Sequence, residues 1–88
     1  MSTERGAGAV EVTIDARGLR CPRPLLAVRQ AIARLAAGQC LKVYADDPHA
    51  PYDLEVYCLR SGHRLRTQRA ERGVFELVIE KTGSGTTT

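Results

Sequence analysis

Two kinds of apolar periodicity alternate along the 88 residues, and their order restricts the fold more than any other feature. A two-residue period indicates a strand with one buried face, and a three- to four-residue period indicates an amphipathic helix. The strand period covers 10–14, 41–45, 64–67 and 75–79, and the helical period begins at Pro22 and again at Pro51. The predicted order is βαβαββ.

Each predicted strand has one apolar face, which favours two layers with a single core between them. We therefore expect an α/β (α+β) two-layer sandwich, in which both helices cover one face of a four-stranded mixed sheet. Gly38 and Gly62 are predicted to end the two helices as C-terminal caps. We expect a single domain over 10–81, with flexible segments at 1–9 and 82–88.

Composition excludes several classes of protein. The net charge of +3 is a mild excess, and three Tyr, one Phe and no Trp provide little surface for stacking bases. No apolar run approaches the length of a membrane span, and the first residues lack the apolar core of a secretory signal. We expect a cytoplasmic protein with no membrane contact, in which direct binding of nucleic acid is disfavoured.

Cysteine is present three times, as Cys21, Cys40 and Cys58, with no C-x-x-C pair. This odd number argues against a disulfide framework, and the spacing argues against a zinc site. We predict no metal and no cofactor. Cys40 reads as a partly buried strand residue, and Cys58 as a packing residue on the apolar face of the second helix.

The stretch Cys21-Pro22-Arg23-Pro24 places a thiol at the start of the first predicted helix. If Cys21 is the N-cap, the two prolines occupy positions where a missing N–H loses no hydrogen bond. The free N–H groups of Arg23 and Leu25, together with the helix dipole, would then favour the thiolate.

Arg17 and Arg20 stand close to this thiol in sequence, as Arg23 does, and they add positive potential. Ser, Thr, Asp and Asn cap helices better than Cys, so a cysteine at this position indicates chemistry. The residues around it form no catalytic triad, and His49 and His63 read as surface residues. A nucleophile with no visible base favours a carrier that accepts a group from one protein and hands it to another.

Two other functions remain open. Arg64, Arg66 and Gln68 are predicted to share the outer face of the third strand and could form an RNA-binding or regulatory surface, although Glu76 and Glu80 dilute its charge. A thiol peroxidase or reductase would require a resolving cysteine, and Cys40 could serve only if it lay close to Cys21.

The chain resembles the TusA/SirA-like sulfur carrier proteins from about Asp15 to Ile79. Three stretches carry the resemblance. The first contains Asp15, Gly18-Leu19-Arg20 and the C-P-x-P motif at 21–24. The second is Asp46-Asp47-Pro48, and the third is Asp53-Leu54 followed by Tyr57-Cys58. Two positions depart from the family pattern. Cys40 is a thiol where members do not typically carry one, and Arg23 replaces an acidic or neutral residue.

The resemblance implies the same βαβαββ sandwich and a single-cysteine relay rather than a stand-alone turnover enzyme. Cys21 would take up sulfane sulfur as a persulfide from a cysteine desulfurase or a rhodanese and pass it to an acceptor protein. Routes in the family include tRNA 2-thiolation, molybdenum cofactor maturation and sulfur oxidation. Pro22 and Pro24 would shape the start of the helix, with Asp15, Arg17, Arg20 and Arg23 as supporting residues. A monomer is expected, because partners must reach the thiol.

Overall fold

Six elements follow one another in the predicted order over residues 10–82, which are the residues that the computed structural model describes. They are β1 (Val10–Asp15), α1 (Arg23–Ala33), β2 (Cys40–Ala45), α2 (Ala50–Ser61), β3 (Arg64–Glu71) and β4 (Val74–Glu80). The predicted flexible segment 1–9 and most of the predicted tail lie outside the described residues. Thr82, the first residue of that tail, donates its hydroxyl to the Gly62 carbonyl at 2.9 Å.

The four strands form one mixed sheet in the order β1-β2-β4-β3. β1 is parallel to β2, whereas β4 is antiparallel to both of its neighbours. This confirms the predicted mixed sheet. Because β1 and β2 are parallel and Asp15 pairs with Tyr44, the segments that follow these two strands leave the sheet at the same end.

The core lies between the helices and one face of the sheet, as predicted. β2 and β4 contribute side chains from paired positions, and each helix contributes residues from one face. These residues are all at most 4% exposed: Leu41, Val43, Leu77, Ile79, Val28, Ile32, Leu54 and Cys58. Full burial of one such aliphatic side chain stabilises the fold by about 1.5–3 kcal/mol.

The two helices end differently from each other. Gly62 follows α2 in the left-handed conformation at φ 88°, and its N–H donates to the Cys58 carbonyl at 2.9 Å, as a C-terminal cap should. The prediction that Gly38 caps α1 is wrong, because α1 ends at Ala33. The Gly38 N–H instead donates to the Lys81 carbonyl at 2.7 Å, so this glycine belongs to the turn that leads into β2.

Within residues 10–82, neither helix is long and apolar enough to cross a membrane.

Candidate functional site

The loop between β1 and α1 begins as an extension of the sheet. The Ala16 N–H donates to the Tyr44 carbonyl at 2.7 Å, and the Ala16 side chain is buried. The chain then turns at Gly18, whose φ of +86° is strained for any residue with a Cβ. The Gly18 N–H donates to Asp46 Oδ1 at 2.9 Å, which ties the loop to the residue directly after β2.

Cys21 lies on the surface at the end of this loop. Its backbone N–H donates to Asp47 Oδ2 at 2.6 Å, and the other oxygen of this carboxylate accepts the His49 N–H at 3.0 Å. Asp47 is only 3% exposed. These N–H groups stabilise its charged form and lower the pKa of its carboxyl group. The position of the Cys21 backbone is therefore fixed by a residue 26 positions along the chain.

The Cys21 sulfur contacts a second carboxylate. Its thiol donates to Asp53 Oδ2 at 2.9 Å, and Asp53 lies in the first turn of α2. This hydrogen bond raises the pKa of the Cys21 thiol, and desolvation and the negative charges of Asp53 and Asp47 act in the same direction. The thiol is accessible, but its surroundings favour the protonated form.

The prediction that Cys21 caps α1 is wrong. The first helical bond runs from the Leu26 N–H to the Pro22 carbonyl at 3.0 Å, which makes Pro22 the N-cap. The Arg23 N–H donates to the Arg20 carbonyl at 2.7 Å rather than pointing at the sulfur. The helix therefore begins two residues after Cys21. The predicted thiolate-stabilising environment is also wrong, because the thiol donates to the Asp53 carboxylate and this hydrogen bond raises the pKa of the thiol.

The three arginines near the thiol differ in whether a carboxylate pairs with them. Arg17 makes a two-pronged ion pair with Asp15, with both N···O distances at 2.8 Å. Hydrogen bonds from Arg17 lower the pKa of Asp15 to about 2. Arg20 and Arg23 lie on the surface beside Cys21. Asp15 therefore neutralises Arg17, so only two of the three predicted cations are left to attract acidic partners.

The two prolines of the motif have different environments. Pro24 is fully buried and lies within the first turn of α1, whereas Pro22 is exposed. The role predicted for both in shaping the start of the helix stays a prediction.

The other two thiols are inside the protein. Cys40 is 0% exposed and Cys58 is 4% exposed, and burial raises the pKa of Cys58 to about 11. Cys40 begins β2, whereas Cys21 is tied to Asp47 just beyond the end of that strand. Six strand residues at about 3.3 Å each separate them by roughly 17 Å or more. Cys40 therefore does not lie where it could resolve a disulfide with Cys21, which weighs against a thiol peroxidase.

A groove of about 570 Å³ runs between the two helices and reaches Asp53. Leu25 and Arg29 of α1 form one wall, and Tyr52 and Arg60 of α2 contribute to the other. The Tyr52 side chain is 70% exposed. The thiol therefore stands beside a partly apolar surface that also carries positive charge.

Ion pairs reduce the free positive charge on the outer face of the sheet, where the sequence suggested an RNA-binding surface. Arg66 forms an ion pair with Glu80 at 2.9 Å, and Lys42 forms one with Glu76 at 3.5 Å. The prediction that Gln68 shares the outer face with Arg64 is wrong. A register shift between Leu65 and Thr67 places Gln68 opposite the core residue Leu77.

Asp47 and Asp53 are the site residues to which the sequence reasoning assigned no role. Asp47 is the second of the two aspartates that follow β2. The parallel pairing of β1 and β2 was the signal that could have located it near Cys21, because the segments after these strands leave the sheet at the same end. Within residues 10–82, His, Cys, Asp and Glu side chains form no group suited to hold a metal ion.

Comparison with known proteins identifies the family of this chain. The sequence profile described as "Sulfurtransferase TusA" matches residues 12–81. A putative sulfur carrier protein of Neisseria meningitidis serogroup A is 41% identical over 68 residues, which cover 77% of this chain and 92% of that protein. The sulfur carrier protein TusA of Pseudomonas syringae pv. syringae is 40% identical over 72 residues, which cover 82% of this chain and 86% of that protein.

The crystal structure of a SirA-like protein from Desulfitobacterium hafniense has the same fold. It is 29% identical, it superposes with a TM-score of 0.73, and the match covers 82% of this chain and 99% of that one. The profile match, the sequence identities and the fold lead to one conclusion: this chain belongs to the TusA family of sulfurtransferases, the sulfur carrier proteins.

Proposed function

We propose that Cys21 carries sulfane sulfur as a persulfide, which it accepts from a donor protein and relays to an acceptor protein. The observation that carries this proposal is the contrast among the three thiols. Cys21 lies on the surface in a loop held by hydrogen bonds, whereas Cys40 and Cys58 are buried in the fold. Only Cys21 can enter the active site of another protein.

The transfer needs no cofactor on this chain. In loading, the Cys21 sulfur attacks the outer sulfur of a persulfide on the donor, so a new S–S bond forms while the donor's S–S bond breaks. The donor sulfur leaves as a thiolate and takes up the proton that Cys21 loses. In unloading, a thiolate of the acceptor attacks the outer sulfur of Cys21, which returns to a thiol. Electrons and atoms balance without an external oxidant.

Cysteine desulfurases and rhodaneses are the donor classes that we propose, since each generates a protein-bound persulfide. The groove beside Asp53 gives either donor a surface adjacent to the thiol. Arg29 and Arg60 would attract acidic side chains on the partner, and Arg20 and Arg23 would act similarly beside the sulfur. A monomer suits this relay, because a second copy covering the groove would block the approach to Cys21.

The destination of the sulfur is one of the three routes that the family resemblance implies: tRNA 2-thiolation, molybdenum cofactor maturation or sulfur oxidation. All three share the relay step through one cysteine. A reducing compartment such as the cytoplasm is the proposed location, because the empty carrier must keep its thiol reduced.

The test is sulfur loading measured by intact mass. The protein is incubated with a cysteine desulfurase and cysteine, and its mass is recorded without reductant. We expect the wild-type protein to gain the mass of one sulfur atom and Cys21→Ser to gain none. Cys58→Ala is the matched control, because it removes a buried thiol and should load like the wild type. A sulfur gained by Cys21→Ser would contradict the proposal.

A further inference from the structure

The hydrogen bond between Cys21 and Asp53 joins the loop before α1 to the first turn of α2. It spans 32 residues of sequence, and the Sγ to Oδ2 distance is 2.9 Å. A carboxylate has no proton to donate, so the thiol is the donor and the bond exists only while the sulfur is protonated. The contact therefore depends on the chemical state of the sulfur.

The charged groups around this sulfur come from three segments. Asp53 faces it from α2, and Asp47 lies beneath its backbone with the His49 ring 3.3 Å from the carboxylate. Arg20 and Arg23 flank it within its own segment. The thiol hydrogen bond goes to a carboxylate, and both nearby carboxylates oppose ionisation of the sulfur.

We propose that Asp53 is a positioning residue that holds the empty carrier in its thiol form and keeps Cys21 against α2 at the end of the groove. This inference rests on the proposed role of Cys21 as the sulfur carrier. Its consequence is a carrier with low intrinsic reactivity, which spares the exposed thiol from adventitious alkylation and oxidation between transfers.

The same contact distinguishes the empty carrier from the loaded one. In a persulfide, Sγ is bonded to the outer sulfur and has no proton, so it cannot donate to Asp53. Loading therefore breaks this hydrogen bond as the new S–S bond forms. The proton passes to the departing donor thiolate, as the balance of the transfer requires.

The test is the pH dependence of alkylation by iodoacetamide, which reacts with the thiolate. Reaction at the Cys21 peptide is followed by mass spectrometry across the alkaline range. We expect Asp53→Asn to lower the midpoint of the profile and to speed alkylation at pH 7 about threefold or more. Glu55→Gln is the matched control, because it removes one negative charge from the exposed surface of the same helix and should leave the profile unchanged.

An unchanged or raised midpoint in Asp53→Asn would overturn the inference, provided thermal unfolding shows that the variant is folded. The wild-type protein gives a second test that needs no variant. Its midpoint should lie above that of a short unstructured peptide with a single cysteine, and a midpoint at or below that reference would also overturn the inference. Alkylation involves no sulfur donor, so these outcomes are independent of whether Cys21 accepts a persulfide.

Discussion

The two ends of the sheet hold their loops with different kinds of acceptor. Where β1 and β2 finish, side-chain carboxylates accept backbone N–H groups, as Asp46 does from Gly18 and Asp47 does from Cys21. At the opposite end the acceptors are uncharged groups, which include backbone carbonyls, the Gln39 side-chain amide and the His63 ring. The Lys81 carbonyl accepts the N–H of Gly38, which lies in the turn before β2. The Lys81 ammonium group donates to the carbonyl of Leu35 at 2.7 Å.

This difference accounts for where the thiol can be exposed. At that opposite end, the Lys81 backbone bonds directly to the turn before β2, because its carbonyl accepts the Gly38 N–H and its N–H donates to the Gln39 carbonyl. Where β1 and β2 finish, the carboxylates of Asp46 and Asp47 accept the Gly18 and Cys21 N–H groups from just beyond the end of β2, in addition to the backbone bond from Ala16 to Tyr44. The sulfur can then face solvent while its backbone stays fixed, which is what a relay between two proteins requires.

The largest effect should follow from removing the carboxylate beneath the thiol. In Asp47→Ala, the N–H groups of Cys21 and His49 lose their common acceptor. The Cys21 backbone is then no longer tied to the segment before α2, while the Gly18–Asp46 and Cys21–Asp53 bonds remain. We expect the initial rate of sulfur loading from a desulfurase to fall about tenfold or more, because small displacements of a reacting atom are costly. Time-resolved intact mass measures this rate.

Lys81→Met is the matched variant at the other end, because it keeps most of the side-chain stem and removes the ammonium group that bonds to Leu35. We expect the free energy of unfolding to fall by about 1 kcal/mol and the loading rate to remain within about twofold of wild type. Equal loading rates in wild type and Asp47→Ala would remove the distinction between the two ends.

A smaller effect should appear on acidification, because the hydrogen bonds at the two ends of the sheet depend on groups that are protonated at different pH. The His63 ring accepts the Thr82 N–H at 3.2 Å, which requires a neutral ring, and burial with the Lys81 charge lowers the pKa of His63. Its contribution is complete above its usual value of 6.5 and is lost as pH falls through the lowered pKa. The pKa of Asp47 is also lowered, so its contribution is complete above 3.8 and is lost only below that value.

Amide chemical shifts recorded during a pH titration would separate the two transitions. We expect the Thr82 amide signal to move below pH 6.5, while the Cys21 amide signal stays in place until the pH is below 3.8. Movement of both signals in a single transition would show that the ends are not independent.

Local patterns were sufficient to predict the elements and their layers. An element with one buried face has apolar residues at a regular spacing. The alternation at Leu41 and Val43 predicted such a face for β2, and the helical spacing of Val28 and Ile32 predicted one for α1. The structure buries these four side chains. The surface position of Cys21 was also expected, because a thiol at the start of a helix can be reached by partner proteins, and the structure exposes it.

The environment of the sulfur could not be predicted in the same way, because tertiary contacts determine it. Asp47 and Asp53 contact Cys21 across 26 and 32 residues of sequence, and contacts over such separations leave no trace in the local spacing of apolar residues. The neighbouring arginines suggested a positive site, yet Arg17 is neutralised by Asp15. A shift of the helix start to Arg23 was enough to remove the cysteine from the N-cap position.

The most direct test of the role of Cys21 is to locate the transferred sulfur in the wild-type protein. The carrier is loaded by a cysteine desulfurase with cysteine labelled with a heavy sulfur isotope, and its peptides are mapped by mass spectrometry without reductant. We predict that all of the label lies on the peptide containing Cys21 and leaves it when an acceptor thiol is added. Label on the Cys40 or Cys58 peptide, with none on Cys21, would contradict the account.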